Sequence, residues 1–152
     1  MAAVNEVVNY LLYLRNKNSE NGLYFSLTNL KLQKLLYFCE AMFLVSENRT
    51  SLIEDTKFQA WRYGPVVPEI YYRFNVYGQN DIPTSIKGEF ENLKQNEIKI
   101  IEEVWGTLRD KSAFDLVEIS HITDGPWSKV YKEGENNEIN SDDIYNYFSD
   151  ES

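Results

Sequence analysis

The sequence has few of the residues that crosslink small extracellular proteins or commonly carry catalysis. Cys39 is the single cysteine and His121 the single histidine in 152 residues. A disulfide framework is therefore excluded, so packing must stabilise the fold, and a reducing compartment is expected. Cys39 lies in an apolar stripe beside Glu40, which is typical of a buried structural thiol. A single histidine also excludes His-based metallohydrolases and disfavours a Ser-His-Asp triad.

Glycine-rich loops and long apolar runs are missing as well. The seven glycines are isolated, and no GxGxxG or GxxxxGK[ST] motif occurs, so no phosphate-binding loop is predicted. The best apolar run, residues 35–45, is interrupted by Glu40 and is shorter than the ~18 residues of a membrane span. The N-terminus lacks the pattern of a signal peptide. We therefore expect a cytoplasmic protein with no membrane partner.

Basic residues are outnumbered, and the imbalance is local. The chain has 15 Lys and Arg against 24 Asp and Glu, a net charge of -9, which disfavours nucleic acid as a partner. No basic residue follows Lys132, whereas seven acidic ones do. We divide the chain here into a helical domain, residues 1–132, and an acidic C-terminal segment, residues 133–152. That segment is either a solvated tail or a docking segment for a basic partner. Its apolar residues favour a short helix packed on the domain, capped by Ser141.

Helical periodicity dominates the first 132 residues. Apolar residues recur at helical spacing from Val4 to Leu12, and the polar stretch 16–22 is interpreted as a loop. Residues 30–45 are apolar around most of a helical circumference, which is typical of a helix surrounded by others. We predict a mainly α fold, a single compact bundle of five to seven helices around this buried central helix. Residues 112–115 resemble a capping box at the start of a later helix.

A short aromatic segment interrupts the helical pattern. Residues 58–63 lack helical periodicity and are followed by Gly64 and Pro65, which predicts a small extended or β element near residues 56–63 that ends there. Pro68 suits the first position of the next helix. We expect Trp61 and Tyr63 to pack from the extended segment onto the bundle.

Two groups of residues leave room for other chemistry. Asp115, Glu118 and His121 follow one another at three-residue spacing on one predicted helix, so a small metal-assisted hydrolase is an alternative function. Basic and aromatic residues also interleave in a way that would form a small anion-binding or RNA-binding patch; they are Lys31, Lys34, Arg62, Tyr63 and Arg73. Against the metal site, His121 is also explained as a histidine packed at a helix end that bonds a backbone carbonyl. Against the RNA-binding patch, residues 1–132 are nearly neutral in charge.

Three clusters, taken in order and spacing, resemble a known family. The clusters are Leu32-Gln33-Lys34-Leu35-Leu36-Tyr37, then Phe58-Gln59-Ala60-Trp61-Arg62-Tyr63-Gly64-Pro65-Val66 with Pro68 and Tyr71, and finally Ser120-His121 with Pro126-Trp127. Together they resemble the Panacea domain, the SocA-like antitoxin and phage-associated GepA-like family. The resemblance runs from about Leu30 to Tyr131. Its most specific part is the run from Ala60 to Pro68.

The resemblance implies a mostly helical antitoxin of a bacterial or prophage toxin–antitoxin pair. Family members neutralise toxins by direct protein contact, and at least one type is thought to deliver its toxin to an ATP-dependent protease. The resemblance brings no catalytic residue, and we expect no enzyme activity, cofactor or metal. A third possibility is a phage-encoded inhibitor of a host protein that uses the acidic tail.

A rigid surface flanked by aromatic residues is the predicted contact for the partner. Tyr and Trp are favoured anchors because they bring a large contact area with few rotamers. Glycine and proline in the same run also have a purely structural explanation, since they shape turns. The candidate partner-binding residues are Trp61, Tyr63, Gly64, Pro65, Val66, Pro68, Tyr71, His121, Pro126 and Trp127.

Overall fold

A computed structural model describes residues 1–120 and 125–150, with the backbone alone at 119, 120 and 150. Within these residues the chain forms seven α-helices, one 3-10 turn (Asn75–Tyr77) and a two-stranded sheet. The helices are α1 (Val4–Glu20), α2 (Asn29–Ser46), α3 (Pro68–Phe74), α4 (Gln95–Leu108), α5 (Ala113–Ser120), α6 (Pro126–Val130) and α7 (Ser141–Asp150). The strands are β1 (Gln59–Trp61) and β2 (Gly64–Val66). The predicted mainly α fold with a small β element is confirmed.

Helix α2 lies at the centre, as its all-round apolar sequence predicts. Thr28 caps it, because its hydroxyl accepts a hydrogen bond from the Lys31 N–H at 3.2 Å. Helices α1, α3, α4, α5 and α7 and strand β2 all pack against it. Fourteen of its eighteen residues are buried. A helix enclosed in this way has no polar face, so its polar side chains must also find partners inside the protein.

The predicted small β element is present, but it is a hairpin that continues beyond Gly64 and Pro65, where the prediction ended it. The chain turns at Arg62 and Tyr63 and returns as β2, with Gln59 opposite Val66 and Trp61 opposite Gly64. Gly64 and Pro65 therefore belong to a strand and do not end one. Gly64 has a φ of +116°, a conformation that residues with a Cβ rarely adopt.

Two local predictions are wrong for physical reasons. Residues 16–20 are helical, because tertiary partners hold this polar end of α1. The Asn16 side-chain amide donates to the Thr84 carbonyl at 3.0 Å, and the Asn18 side-chain oxygen Oδ1 accepts from the Trp105 indole N–H at 2.8 Å. Helix α7 is capped by Asn140, whose side chain accepts from the Asp142 N–H at 2.7 Å. Ser141, the predicted cap, is the first helical residue.

The acidic C-terminal segment is in contact with the rest of the protein. Its residues 137–139 run antiparallel beside β1, where the Ala60 N–H donates to the Asn137 carbonyl at 2.7 Å and the Ile139 N–H to the Phe58 carbonyl at 2.8 Å. Ile139 and Ile144 are buried in the core. The division at residue 132 stays a prediction. In the described ranges, no helix is long and apolar enough to cross a membrane.

Candidate functional site

Three polar side chains of α2 hold the segment that follows the hairpin. We call Asn29, Gln33 and Lys34 the polar seam. The Gln33 side-chain oxygen accepts from the Val67 N–H at 2.9 Å, and its amide donates to Asn29 at 3.2 Å. The Asn29 amide donates in turn to the Tyr71 carbonyl at 3.0 Å. The polar seam thus fixes the junction between β2 and α3 directly onto the central helix.

Lys34 completes the polar seam at the strand itself. Its side chain has no exposed surface, and its Nζ lies 3.4 Å from the Pro65 carbonyl oxygen. Burial lowers the pKa of Lys34 to about 7, because the apolar surroundings disfavour the ammonium form. Sequence reasoning missed the polar seam. The signal was available, since a helix without a polar face leaves Gln33 and Lys34 no route to solvent.

Above this junction, aromatic rings from the hairpin and from α3 contact one another. The ring centre of Trp61 lies 5.1 Å from that of Tyr71 and 6.1 Å from that of Tyr72, and the two tyrosine rings are 5.6 Å apart. These distances are typical of favourable edge-on contacts. Tyr72 is 61% exposed, whereas Trp61 and Tyr71 are half-buried. The exposed Tyr72 ring therefore packs against two partly buried rings, those of Trp61 and Tyr71.

Helix α6 extends the aromatic cluster. The Trp127 indole N–H donates to the Trp61 carbonyl at 2.6 Å, and the Trp127 ring stacks on Tyr131 with centres 4.5 Å apart. We call Trp61, Tyr71, Tyr72, Trp127 and Tyr131 the aromatic face. A notch of about 250 Å³ separates Trp61 from Tyr131, and the carboxylate-bearing Glu133 and Glu135 also line it, together with Arg62, Gly134 and Asn136.

The structure brings together most of the predicted contact residues, at different depths. Trp61, Tyr71 and Trp127 belong to the aromatic face, and Pro68 is the half-buried first residue of α3. Four other predicted contact residues are buried, so they support this surface and do not form it; they are Gly64, Pro65, Val66 and Pro126. His121 lies outside the described residues. Contact of any of these residues with a partner stays a prediction.

Tyr63 differs from the expectation that it packs onto the bundle. Its side chain is 56% exposed in the hairpin turn, with the Arg62 guanidinium carbon 5.5 Å from its ring centre. A tight turn directs this side chain away from the core, so Tyr63 is available to a partner.

The structure bears on only part of the alternative chemistries, because His121 of the metal alternative lies outside the described residues. The Asp115 carboxylate accepts from the Ser112 N–H at 3.4 Å in the predicted capping box, and Glu118 is exposed. Among residues 1–120 and 125–150, no three His, Cys, Asp or Glu side chains are placed to hold a metal ion. The basic patch does not form, because Lys31 and Lys34 are buried. Cys39 is buried as predicted, and burial raises the pKa of its thiol.

Comparison with known proteins decides the family. Residues 32–128 match the model of the antitoxin SocA-like, Panacea domain. The chain belongs to this family. The matched stretch includes Gln33 and Lys34 of the polar seam, the whole hairpin, α3 and Trp127. The Panacea match therefore coincides with the region in which α2 holds the hairpin and the aromatic face rests upon it.

The chain is also similar to the antitoxin SocA of Caulobacter vibrioides, strain NA1000 / CB15N. The two sequences are 34% identical over 114 residues, which is 68% of this chain and 60% of that relative. The chain thus spans about three fifths of the length of the curated relative that it matches. No solved structure matches the chain significantly.

Proposed function

We propose that this chain is a non-enzymatic antitoxin that neutralises a toxin protein by direct contact through the aromatic face and Tyr63. The observation that carries the proposal is the coincidence of the Panacea match with a surface of clustered, partly exposed aromatic rings. Membership of an antitoxin family supports the general role. The exposed Tyr63 and Tyr72 support the place of contact, because aromatic side chains dominate the affinity of many protein interfaces.

The surface beneath these rings is held in place before any partner arrives. The polar seam fixes the β2–α3 junction, and the Trp127 indole fixes the backbone at Trp61. Little conformational entropy then remains to be lost on binding, which favours affinity for a given contact area. This property suits occlusion of a toxin by a preformed face.

Negative charge at the edge of the aromatic face favours basic side chains on the contact surface of the toxin. The Glu133 and Glu135 side chains are exposed and make no hydrogen bond or ion pair within the part of the chain that the structure describes. Carboxylates beside aromatic rings suit basic side chains, above all arginine, which stacks and pairs at once. A toxin with apolar and basic groups at its active surface would fit best.

The test expresses each neighbouring gene alone and together with this chain. We expect one neighbouring gene to arrest growth when it is expressed alone, and co-expression of this chain to restore growth. The double variant Tyr63→Ala/Tyr72→Ala should weaken the purified complex at least tenfold, as loss of interface aromatic anchors typically does. Isothermal titration calorimetry of the purified pair measures the effect.

A matched control removes equally exposed apolar groups elsewhere. Leu23 and Tyr24 are 48% and 81% exposed in the connection between α1 and α2, and the variant Leu23→Ala/Tyr24→Ala should bind like the wild type. If no neighbouring gene is neutralised, the antitoxin role is contradicted. If growth is rescued but both double variants bind equally well, the aromatic face is not the contact surface.

Delivery of the toxin to an ATP-dependent protease is a separate step, which the family resemblance implies. The half-life of the toxin separates the two mechanisms. Occlusion alone leaves the half-life unchanged or longer when this chain is co-expressed. A shorter half-life that depends on a protease would add the delivery role.

A further inference from the structure

A second cavity lies away from the aromatic face, between residues 51–58 and the start of α7. Its volume is about 410 Å³. Apolar side chains contribute one part of its wall; they are Ile53, Phe58, Ile139 and Ile144. Acidic side chains contribute another; they are Glu40, Glu54, Asp55 and Glu138. Lys57 and Met1 are its basic groups, and the Met1 amino group is paired with Glu97 at 3.0 Å.

Glu40 is the buried polar group of this cavity. Its side chain extends from α2, and the residue is only 4% exposed. One oxygen, Oε1, accepts hydrogen bonds from the N–H groups of Leu52 at 2.6 Å and Ile53 at 3.4 Å. The other oxygen, Oε2, has no hydrogen-bond partner and no ion pair among the described residues. Glu40 therefore presents one hydrogen-bonded oxygen to the protein and one open oxygen to the cavity, where Lys57 is the nearby basic side chain and a cationic ligand could also pair with it.

The arrangement does not suit a metal ion. In the ranges that the structure describes, no three acidic side chains converge closely enough to coordinate one. An organic cation is different, because its charged end needs one carboxylate and its hydrocarbon body needs apolar surface. The cavity offers both, with three further carboxylates to set a negative potential.

We propose that this cavity binds a primary alkylammonium group, with the ammonium on Oε2 of Glu40 and the aliphatic chain against Ile139 and Ile144. The same chemistry is available from a free aliphatic amine and from a lysine side chain of a partner protein. The site is distinct from the aromatic face and does not depend on the proposed antitoxin function.

Such binding must depend on pH. Burial raises the pKa of Glu40 to about 7, against the opposing effects of the Leu52 and Ile53 N–H groups and of Lys57. Glu54, Asp55 and Glu138 face the same cavity, as does the paired amino group of Met1. An alkylammonium stays charged between pH 6 and 8, whereas Glu40 becomes ionised over that range. Affinity should therefore rise about tenfold from pH 6 to pH 8.

Titration of the full chain with n-butylamine, followed by amide chemical shifts, tests the proposal. The Leu52 and Ile53 amides, which donate to Glu40, should shift in a saturable way. Glu40→Gln keeps an oxygen for both N–H groups but removes the charge, so it should retain the fold by circular dichroism and lose at least tenfold in affinity. Glu91→Gln, an exposed change of equal charge in the loop before α4, should bind like the wild type.

Two further ligands make the outcome decisive. Butan-1-ol has the same hydrocarbon chain without the charge and should not bind. Acetyl-Gly-Lys-Gly-amide separates the sources: binding at least as tight as that of butylamine assigns the site to a partner's lysine, and binding of butylamine alone assigns it to a free amine. Equal binding of butanol, equal binding by Glu40→Gln, or no shift at Leu52 and Ile53 would overturn the proposal.

Discussion

The two halves of α2 carry buried charges of opposite sign that never meet. Lys34 lies in the first half and contacts the hairpin, and Glu40 lies six residues later and contacts residues 52 and 53. Each interacts with the backbone of a neighbouring segment, the lysine with a carbonyl and the carboxylate with two N–H groups. Burial moves the pKa of each to about 7, from opposite directions.

The difference between them lies in the space around the side chain. Lys34 lines neither the notch at the aromatic face nor the cavity at Glu40, and its contact with the Pro65 carbonyl helps to hold the hairpin. Glu40 opens onto a cavity with one oxygen unused. The contact of Lys34 suits a structural role, whereas the open oxygen of Glu40 leaves room for the proposed ligand.

The largest expected effect comes from removal of the Glu40 oxygens. Glu40→Leu leaves the Leu52 and Ile53 N–H groups buried without an acceptor, and each such group costs about 1–3 kcal/mol. We expect the free energy of unfolding to fall by about 3–5 kcal/mol in urea titrations. Glu40→Gln, which retains an acceptor, should remain within about 1 kcal/mol of the wild type. Equal losses in both variants would mean that the carboxylate charge itself holds residues 52 and 53.

The second-largest effect tests the structural role of the polar seam. Gln33→Leu fills the same space but leaves the Val67 N–H without its acceptor, so a loss of about 2–3 kcal/mol is expected in the same measurement. Gln79→Leu, in an exposed loop, is the matched control and should change stability by less than about 0.5 kcal/mol. A loss of similar size in Gln79→Leu would show that the polar seam has no special role.

The smallest effect is a shallow minimum of stability near pH 7. The pKa of Glu40 is raised, so the folded state binds more protons than the unfolded state and stability falls as pH rises from about 4.5 to 7. The pKa of Lys34 is lowered, so the unfolded state binds more protons and stability recovers as pH rises above 7. We expect changes of roughly 1–2 kcal/mol on each side, measured by urea unfolding at pH 5, 7 and 9.

Two variants separate the two sides of this profile. Glu40→Gln should remove the fall below pH 7, and Lys34→Met should remove the recovery between pH 7 and 9. Measurements stop near pH 9 because burial raises the pKa of Cys39 and Tyr37, which turns stability down again at higher pH. A profile that neither variant alters would place both pKa values outside this range.

The sequence predicted those features that depend on local pattern. Apolar periodicity identified the central helix, Pro68 marked the start of α3, and the Ser112–Asp115 pair marked the start of α5. The quoted clusters also indicated the family correctly. Each of these signals lies within a few residues or within a contiguous motif, where the local sequence largely determines the local structure.

Features that depend on distant partners were not predictable in the same way. The polar end of α1 is helical because Asn16 and Asn18 bond to residues 68 and 87 positions further along the chain. The cavity at Glu40 requires a segment from residues 51–58 and another from residues 138–144 to come together. Spacing within one helix carries no information about such neighbours, although burial of Glu40 was implied by its place on an all-round apolar helix.

The strand-like pairing of residues 137–139 with β1 has a practical consequence. Deletion of everything after Lys132 would leave the outer N–H and C=O groups of β1 open to strands of other molecules, a known route to aggregation. It would also remove Ile139 and Ile144 from the core. The role of the acidic charges is therefore better studied by replacing carboxylates with amides in place, which leaves the hairpin shielded and the oligomeric state unchanged.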